Sequence, residues 1–171
     1  MKDKDTIRLI LTLDCNLSCS YCCNKLESVY SRFIQKSLEE IDFSRYQNIC
    51  LTGGEPFLNK PLLYEVLEKI PDQKNVYIYT NGLLIDYDDL LKLFIYGGLK
   101  LTAINIGLHS IGQLKQIDRR IEETFNVRYL AQDICVEKLL TAYPERLTVK
   151  NLKGWHLNKC DQPNEDWVLL R

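Results

Sequence analysis

The stretch TIRLILTLDCNLSCSYCC, residues 6–23, joins a short apolar segment to a dense group of thiols. Apolar residues fall on every second position from Ile7 to Leu13, a period that is typical of a β-strand. Four cysteines then follow within nine positions: Cys15, Cys19, Cys22 and Cys23. The stretch therefore predicts a strand that leads directly into a site built on sulfur.

Strand-like and helix-like segments alternate along the rest of the chain. Alternating or short buried apolar runs predict strands over residues 7–13, 48–52, 76–80, 101–106, 127–130 and 147–149. Helical spacing predicts helices over residues 33–41, 59–70, 87–94, 111–121 and 136–143. This order is typical of βαβ units and a parallel sheet. A closed eight-unit barrel needs about 250 residues. The chain has 171, so we expect an α/β fold with an open, partial (βα)5–6 barrel of five or six parallel strands.

The domain organisation is expected to be simple. No low-complexity linker interrupts the chain, so residues 1–171 are expected to form a single domain. The motif-bearing core covers residues 7–150, and residues 151–171 form a tail too short for a substrate domain. We expect this tail to close the open barrel or to present a surface to a partner.

Composition and charge narrow the possible partners and compartments. The chain is 46% hydrophobic and 26% charged, and its formal net charge is −1. This balance argues against a nucleic-acid or anionic-lipid partner. No signal peptide is recognisable, and no run approaches the roughly 20 apolar residues of a membrane span. We expect a cytoplasmic protein without a membrane segment, whose seven cysteines are reduced thiols.

The spacing of the first three cysteines indicates metal or redox chemistry. C-x3-C-x2-C differs from the paired C-x2-C arms of a structural zinc site. Three thiolates can hold three irons of a 4Fe–4S cluster and leave the fourth iron open, whereas ferredoxin clusters use four cysteines. The loop after a parallel strand is a usual ligand site. A zinc site or plain reduced thiols remain the alternatives at this point.

Three motifs together resemble the radical S-adenosylmethionine (SAM) superfamily. CNLSCSYC at residues 15–22 resembles its cluster motif, including an aromatic residue, Tyr21, before the third cysteine. GGEP at residues 53–56 and TNG at residues 80–82 follow the next two strands, as in that superfamily. The resemblance covers about residues 7–110 and implies the partial barrel of a radical SAM core.

The resemblance implies a radical SAM enzyme. Cys15, Cys19 and Cys22 would hold a 4Fe–4S cluster, and Cys23 would not be a ligand. The amino and carboxylate groups of SAM would chelate the open iron. One electron from an external donor of the flavodoxin or ferredoxin type would split SAM, and the resulting 5′-deoxyadenosyl radical would remove a hydrogen atom from the substrate.

The resemblance also implies a set of cofactor-binding residues. They are Tyr21, Gly53, Gly54, Glu55, Thr80, Asn81, Asn105 and His109. The two glycines, which lack Cβ atoms, would let the backbone approach the methionine end of SAM. A bulky side chain there is expected to weaken SAM binding while the cluster still assembles. Glu55 would balance local positive charge at the same end.

The nucleoside end of SAM is expected to lie between two other segments. Tyr21 would pack beside the adenine. Gly107 and His109 stand where many relatives have a serine and an acid for the ribose, so Asn105 or His109 is expected on the ribose side. The remaining cysteines and the second histidine are expected to be structural or silent: Cys50, Cys135, Cys160 and His156.

The substrate and the function class have competing interpretations. The substrate is a small molecule, a peptide or a partner protein, the last as for an activase that places a glycyl radical on a large enzyme. A second class is non-catalytic, an iron–sulfur or zinc protein with no SAM site. Gly53, Gly54 and Glu55 argue against that class. No cysteine-rich C-terminal extension is present, so no auxiliary cluster is expected.

Overall fold

All strands in the described part of the chain belong to one sheet, in which every neighbouring pair is parallel. The computed structural model describes residues 4–19, 22, 31, 33–131, 150–151 and 165–171. The strands are β1 (Thr6–Ile10), β2 (Ile34–Lys36), β3 (Asn48–Thr52), β4 (Asn75–Thr80), β5 (Leu101–Leu108), β6 (Val127–Ala131), β7 (Lys150–Asn151) and β8 (Glu165–Leu170). Their order in the sheet is β2-β8-β1-β3-β4-β5-β6-β7.

This arrangement confirms the α/β fold with an open parallel sheet. Within the described residues, β2 and β7 pair on one side only, so the sheet does not close into a barrel there. The predicted number of strands, five or six, is wrong, because the described residues contain eight. The end of the tail forms β8, which pairs with β1 and extends the sheet.

Helices connect the central strands. The α-helices are α1 (Lys60–Lys69), α2 (Tyr87–Lys92), α3 (Ile111–Leu114) and α4 (Arg120–Thr124). A π-helical turn, Leu93–Gly97, continues α2, and single 3-10 turns cover Leu38–Glu40, Phe43–Arg45, Pro56–Leu58 and Gly98–Lys100. None of the helices in the described ranges is long and apolar enough to cross a bilayer.

Local sequence signals explain where two of the helices begin. Asn59 precedes α1 and a proline lies in its first turn, as predicted. At the start of α2, the Asp89 N–H donates to Asp86 Oδ1, and the Asp86 N–H donates to Asp89 Oδ2, both at 2.9 Å. This reciprocal capping box satisfies backbone donors that the helix itself leaves unpaired.

Two helix predictions are wrong. Residues 33–41 contain β2 and a 3-10 turn, because β2 pairs with β8 and that pairing overrides the local apolar spacing. The helix predicted over residues 111–121 is divided into α3 and α4, and Asp118 Oδ1 accepts the Arg120 N–H at 3.0 Å where the second helix begins. The predicted helix 136–143 and strand 147–149 lie outside the described residues.

The two faces of the central sheet differ in polarity. Side chains alternate between faces along a strand. One face contributes buried aliphatic side chains to the core: Ile7, Leu9, Ile49, Leu51, Val76, Ile78, Ile104 and Ile106. The strand register places polar residues together on the opposite face: Arg8, Cys50, Tyr77, Tyr79, Asn105 and Arg128.

An ion pair on the polar face joins β8 to β1. Arg8 Nε donates to Glu165 Oε2 at 2.9 Å, and Nη2 donates to Oε1 at 3.2 Å. The guanidinium carbon lies 5.0 Å from the Tyr79 ring centroid and 5.1 Å from that of Trp167. Trp167 in turn stacks on Phe33, with centroids 5.8 Å apart. Charge and aromatic packing therefore both anchor β8 beside β1.

We predict that Glu165→Gln destabilises the protein, because it leaves a guanidinium whose side chain is only 9% exposed without a counter-charge. The expected loss in the free energy of unfolding, measured in urea, is about 2–3 kcal/mol. Lys4→Gln is the matched control on the same pair of strands, since Lys4 binds Asp166 at 2.8 Å with its side chain 41% exposed. Its loss should stay below about 1 kcal/mol. Equal losses would contradict the importance of the buried pair.

Candidate functional site

Four neighbouring parallel strands bring the sequence motifs to one edge of the sheet. β1, β3, β4 and β5 are adjacent in that order, so their carboxyl ends meet. The cysteine loop (residues 11–22) follows β1, and the glycine loop (residues 53–55) follows β3. Thr80 ends β4, and His109 directly follows β5. The predicted motifs thus share the edge where ligands bind in parallel α/β sheets.

The glycine loop packs backbone to backbone against the cysteine loop. Gly54 N–H donates to the Thr12 carbonyl at 2.7 Å, and Glu55 N–H donates to the Asp14 carbonyl at 2.8 Å. A Cβ on Gly54 would overlap the Asp14 carbonyl oxygen, and one on Gly53 would overlap that of Thr12. Gly53 also has a φ of 140°, which side chains rarely allow. Both glycines are therefore required for this contact.

This packing corrects the expected effect of a bulky residue at Gly53 or Gly54. The sequence predicted a clash with SAM that would leave cluster assembly intact. The atoms that a Cβ would meet belong to the cysteine loop itself. A substitution is therefore expected to displace the cluster ligands as well, and the two effects cannot be separated at Gly54.

Glu55 connects the glycine loop to the end of β4. Its side chain is fully buried, at 0% exposure. Oε1 accepts the Thr80 hydroxyl at 2.7 Å and the Phe57 N–H at 3.2 Å, while Oε2 accepts the Asn81 N–H at 2.8 Å. Burial raises the pKa of Glu55, although these hydrogen bonds favour its ionised form. Both carboxylate oxygens hold neighbouring loops, so Glu55 has a positioning role.

Asn81 extends these contacts to the cysteine loop. Its Nδ2 donates to Asn16 Oδ1 at 2.7 Å and lies 4.0 Å from Cys15 Sγ. Its Oδ1 accepts the Leu83 N–H at 3.0 Å, a local turn that fixes the side chain. The end of β4 is thereby tied to the residue that follows the first cysteine.

The three predicted cluster cysteines lie in the loop after β1. Cys15 Sγ accepts the Leu17 N–H at 3.4 Å, and the Cys22 N–H donates to the Cys19 carbonyl at 3.4 Å. Burial raises the pKa of the Cys15 thiol, and the charges of Glu55 and Cys22 act in the same direction. Within the described ranges, no three His, Cys, Asp or Glu side chains are close enough together to hold a metal. Tyr21 and Cys23 lie outside those ranges.

Asn105 and His109, the two candidates for the ribose side, occupy different surroundings. Asn105 is 5% exposed on the polar face of β5, and its Nδ2 has no hydrogen-bond partner among the described residues. A buried donor without a partner is costly, so this amide is available to a ligand group. His109 instead contacts the cysteine loop, with Nε2 3.6 Å from Cys19 Sγ.

Gln113 is a site residue that the sequence analysis missed. Its Nε2 donates to the carbonyls of Asn81 and Gly107, both at 2.7 Å, and its Oε1 accepts the His109 N–H at 2.8 Å. It is buried between the ends of β4 and β5. The sequence offered one sign of this role, a glutamine among the apolar residues of a predicted helix. The groups that Gln113 binds belong to the backbone, however, and a pattern of side chains does not identify them.

The family comparison agrees with the arrangement of these loops. The model of the radical SAM superfamily matches residues 9–139, which include the cysteine loop and the ends of β3, β4 and β5. The chain therefore belongs to the radical SAM superfamily, a class of enzymes that use a 4Fe–4S cluster and S-adenosylmethionine.

Three curated relatives are GTP 3′,8-cyclases or a probable GTP 3′,8-cyclase. A GTP 3′,8-cyclase of Clostridium perfringens is 30% identical over 137 residues, which cover 70% of this chain and 41% of the relative. A probable GTP 3′,8-cyclase of Methanococcus maripaludis is 28% identical over 165 residues, covering 78% of this chain and 52% of the relative. A GTP 3′,8-cyclase of Synechococcus is 34% identical over 104 residues. The chain spans about half the length of the first two relatives, or less.

The residues at this edge fit the cofactors of the superfamily. Thiolates are the usual ligands of iron–sulfur clusters, and three thiols, those of Cys15, Cys19 and Cys22, lie in one loop at this edge. The unpaired amide of Asn105 offers a hydrogen-bond donor to a ligand on the polar face. The three thiols are not close enough together to hold a metal in this structure, so the binding of a cluster would require the loop to adjust.

We predict that Gly54→Ala destabilises the protein, since the new Cβ overlaps the Asp14 carbonyl oxygen. The expected loss in the free energy of unfolding is about 3 kcal/mol. Gly112→Ala is the matched control, because its Cβ would meet only Ser110 Oγ at 3.7 Å. That control, which lies in α3, should be neutral or gain up to about 1 kcal/mol. A neutral Gly54→Ala would refute the packing argument.

Gln113→Leu should also lower stability, because it removes the partners of the Asn81 carbonyl, the Gly107 carbonyl and the His109 N–H. We expect a loss of about 2 kcal/mol or more in urea unfolding. The same change at exposed Gln116 should stay within about 0.5 kcal/mol of the wild type. Similar values for the two variants would mean that Gln113 does not hold the loops together.

Proposed function

We propose that this protein is a radical SAM enzyme whose cluster is held by Cys15, Cys19 and Cys22. When bound, the cluster supplies one electron that cleaves SAM to methionine and a 5′-deoxyadenosyl radical, which removes a hydrogen atom from the substrate. The observation that carries the proposal is the junction of the cysteine and glycine loops. Gly54 and Glu55 donate backbone hydrogen bonds to the loop that contains the thiols.

The chain's own groups prepare the cluster site. Burial raises the pKa of the Cys15 thiol, and cluster binding must displace the thiol proton. Glu55 and Asn81 keep the ends of β3 and β4 in register with the cysteine loop. Gln113 does the same for the ends of β4 and β5. These contacts position the strand ends before any cofactor binds.

We keep the SAM-binding residues predicted from the sequence, except His109, with a different weight for each residue. Asn105 is the best supported, because its buried amide N–H needs an acceptor. Glu55 and Thr80 bind one another, which supports indirect roles in shaping the SAM site. We retain Tyr21 beside the adenine, and Gly53, Gly54 and Asn81 around the methionine end, as proposals.

We propose a purine nucleotide as the substrate, in preference to a peptide or a partner protein. The named relatives are GTP 3′,8-cyclases, which favours a nucleotide of the GTP type. Arg128 offers a positive charge on the same sheet face as Asn105, and its guanidinium carbon lies 5.7 Å from the Tyr77 ring centroid. An aromatic ring and a cation suit a base and a phosphate.

The enzyme would also need an external reductant. We propose a one-electron donor of the flavodoxin or ferredoxin type and, since the cysteine loop requires reduced thiols, a cytoplasmic location. Anaerobic reconstitution with iron and sulfide, followed by reduction and addition of SAM, should yield 5′-deoxyadenosine and methionine. Addition of GTP should increase the yield if a nucleotide is the substrate, whereas equal yields with and without GTP would reject that substrate.

Alanine substitutions test the ligand set. We predict that Cys15→Ala, Cys19→Ala and Cys22→Ala each abolish the brown cluster absorbance or the cleavage of SAM. Cys23→Ala and the buried Cys50→Ala are matched controls that should retain both. If Cys23→Ala loses the cluster while one of the other three variants retains it, the proposed ligand set is wrong. Bound zinc without SAM cleavage would favour the non-catalytic class.

A further inference from the structure

We propose that His109 is a positioning residue that donates a hydrogen bond from Nε2 to the sulfur of Cys19 and thereby raises the reduction potential of the cluster. The proposal rests on the proposed function, because it takes Cys19 as a cluster ligand. It assigns His109 to the cysteine loop and not to the ribose of SAM. The observation behind it is the distance of 3.6 Å between His109 Nε2 and Cys19 Sγ.

The direction of this hydrogen bond follows from the chemistry of a ligand thiolate. A cysteine that binds iron has lost its proton, so its sulfur can only accept. Imidazole carrying hydrogen on Nε2 can donate to it, and so can imidazolium. The contact in the structure is therefore compatible with an N–H···S hydrogen bond once Cys19 is a ligand.

The backbone of His109 is held by a buried side chain. Its N–H donates to Gln113 Oε1 at 2.8 Å, and Gln113 Nε2 donates to the Gly107 carbonyl at 2.7 Å. The Gln113 N–H also donates to Ser110 Oγ at 3.2 Å. These bonds fix the turn after β5, so the imidazole is presented to the cysteine loop by a rigid support.

The charges around the loop indicate why a donor is useful at Cys19. Buried Glu55 adjoins the cysteine loop, because its N–H donates to the Asp14 carbonyl at 2.8 Å, and its ionised carboxylate would place negative potential there. Added negative charge makes the cluster harder to reduce. Hydrogen bonds to cluster sulfurs stabilise the reduced, more negative state and so raise the potential. His109 would counteract Glu55 from the opposite end of the cysteine loop.

An EPR-monitored redox titration of the reconstituted protein tests the proposal. His109→Leu should make the cluster harder to reduce by roughly three- to tenfold in the reduction equilibrium, where tenfold is 59 mV for one electron. His109→Gln keeps a side-chain N–H donor and should recover at least half of the shift. Gln116→Leu changes an exposed polar residue of the same segment and should titrate like the wild type. Iron content and melting temperature are measured on each protein.

The outcomes separate this proposal from the proposed function. Equal potentials for wild type, His109→Leu and His109→Gln at equal iron content would overturn it. If His109→Leu binds less iron than the wild type, His109→Asn takes its place in the titration, because the shorter amide cannot reach Cys19. A His109→Asn protein with the wild-type reduction potential would also overturn the proposal. A wild-type protein that binds no cluster or does not cleave SAM refutes the proposed function instead.

Discussion

The contact between two backbones at the ends of β1 and β3 is the constraint on which the rest of the site depends. Parallel pairing brings the glycine loop against the cysteine loop, and two backbone N–H groups donate to the carbonyls of Thr12 and Asp14. A side chain at Gly54 would occupy the position of the Asp14 carbonyl. The loop that carries the thiols can therefore have this course only where the residue opposite it has no Cβ.

Buried polar groups transmit this geometry from strand to strand. Glu55 binds the end of β4, Asn81 reaches back to Asn16, and Gln113 joins the ends of β4 and β5. Each of these hydrogen bonds replaces a hydrogen bond to water, so its own contribution to stability is modest. A buried polar group left without a partner would instead cost about 1–3 kcal/mol of stability. The network therefore favours one arrangement of the loops. Asn105, on the polar face, lies outside this network, and its amide donor has no partner among the described residues.

Local signals predicted the central part of the fold well. Three strands and a helix lie close to their predicted ranges: β3, β4, β5 and α1. The spacing of apolar residues and the residues that start a helix determine structure over a few neighbouring positions, so these elements could be predicted locally. The same signals failed at residues 33–41. There Ile34 pairs with Val168 and Lys36 with Leu170, and those partners lie more than a hundred positions away. Local spacing contains no information about such a partner.

The sequence by itself determined which chemical groups stand at the strand ends: three thiols at suitable spacing, a pair of glycines and a carboxylate. The resemblance that those motifs carry predicted the class of protein, and the alternation of strands and helices predicted its parallel sheet. Only the tertiary structure decided what each group contacts. It turned Glu55 inward onto Thr80, placed His109 against Cys19 and inserted β8 between β1 and β2. The physical reason is that hydrogen bonds between distant backbones and side chains depend on register and loop course, which exist only once the strands have paired.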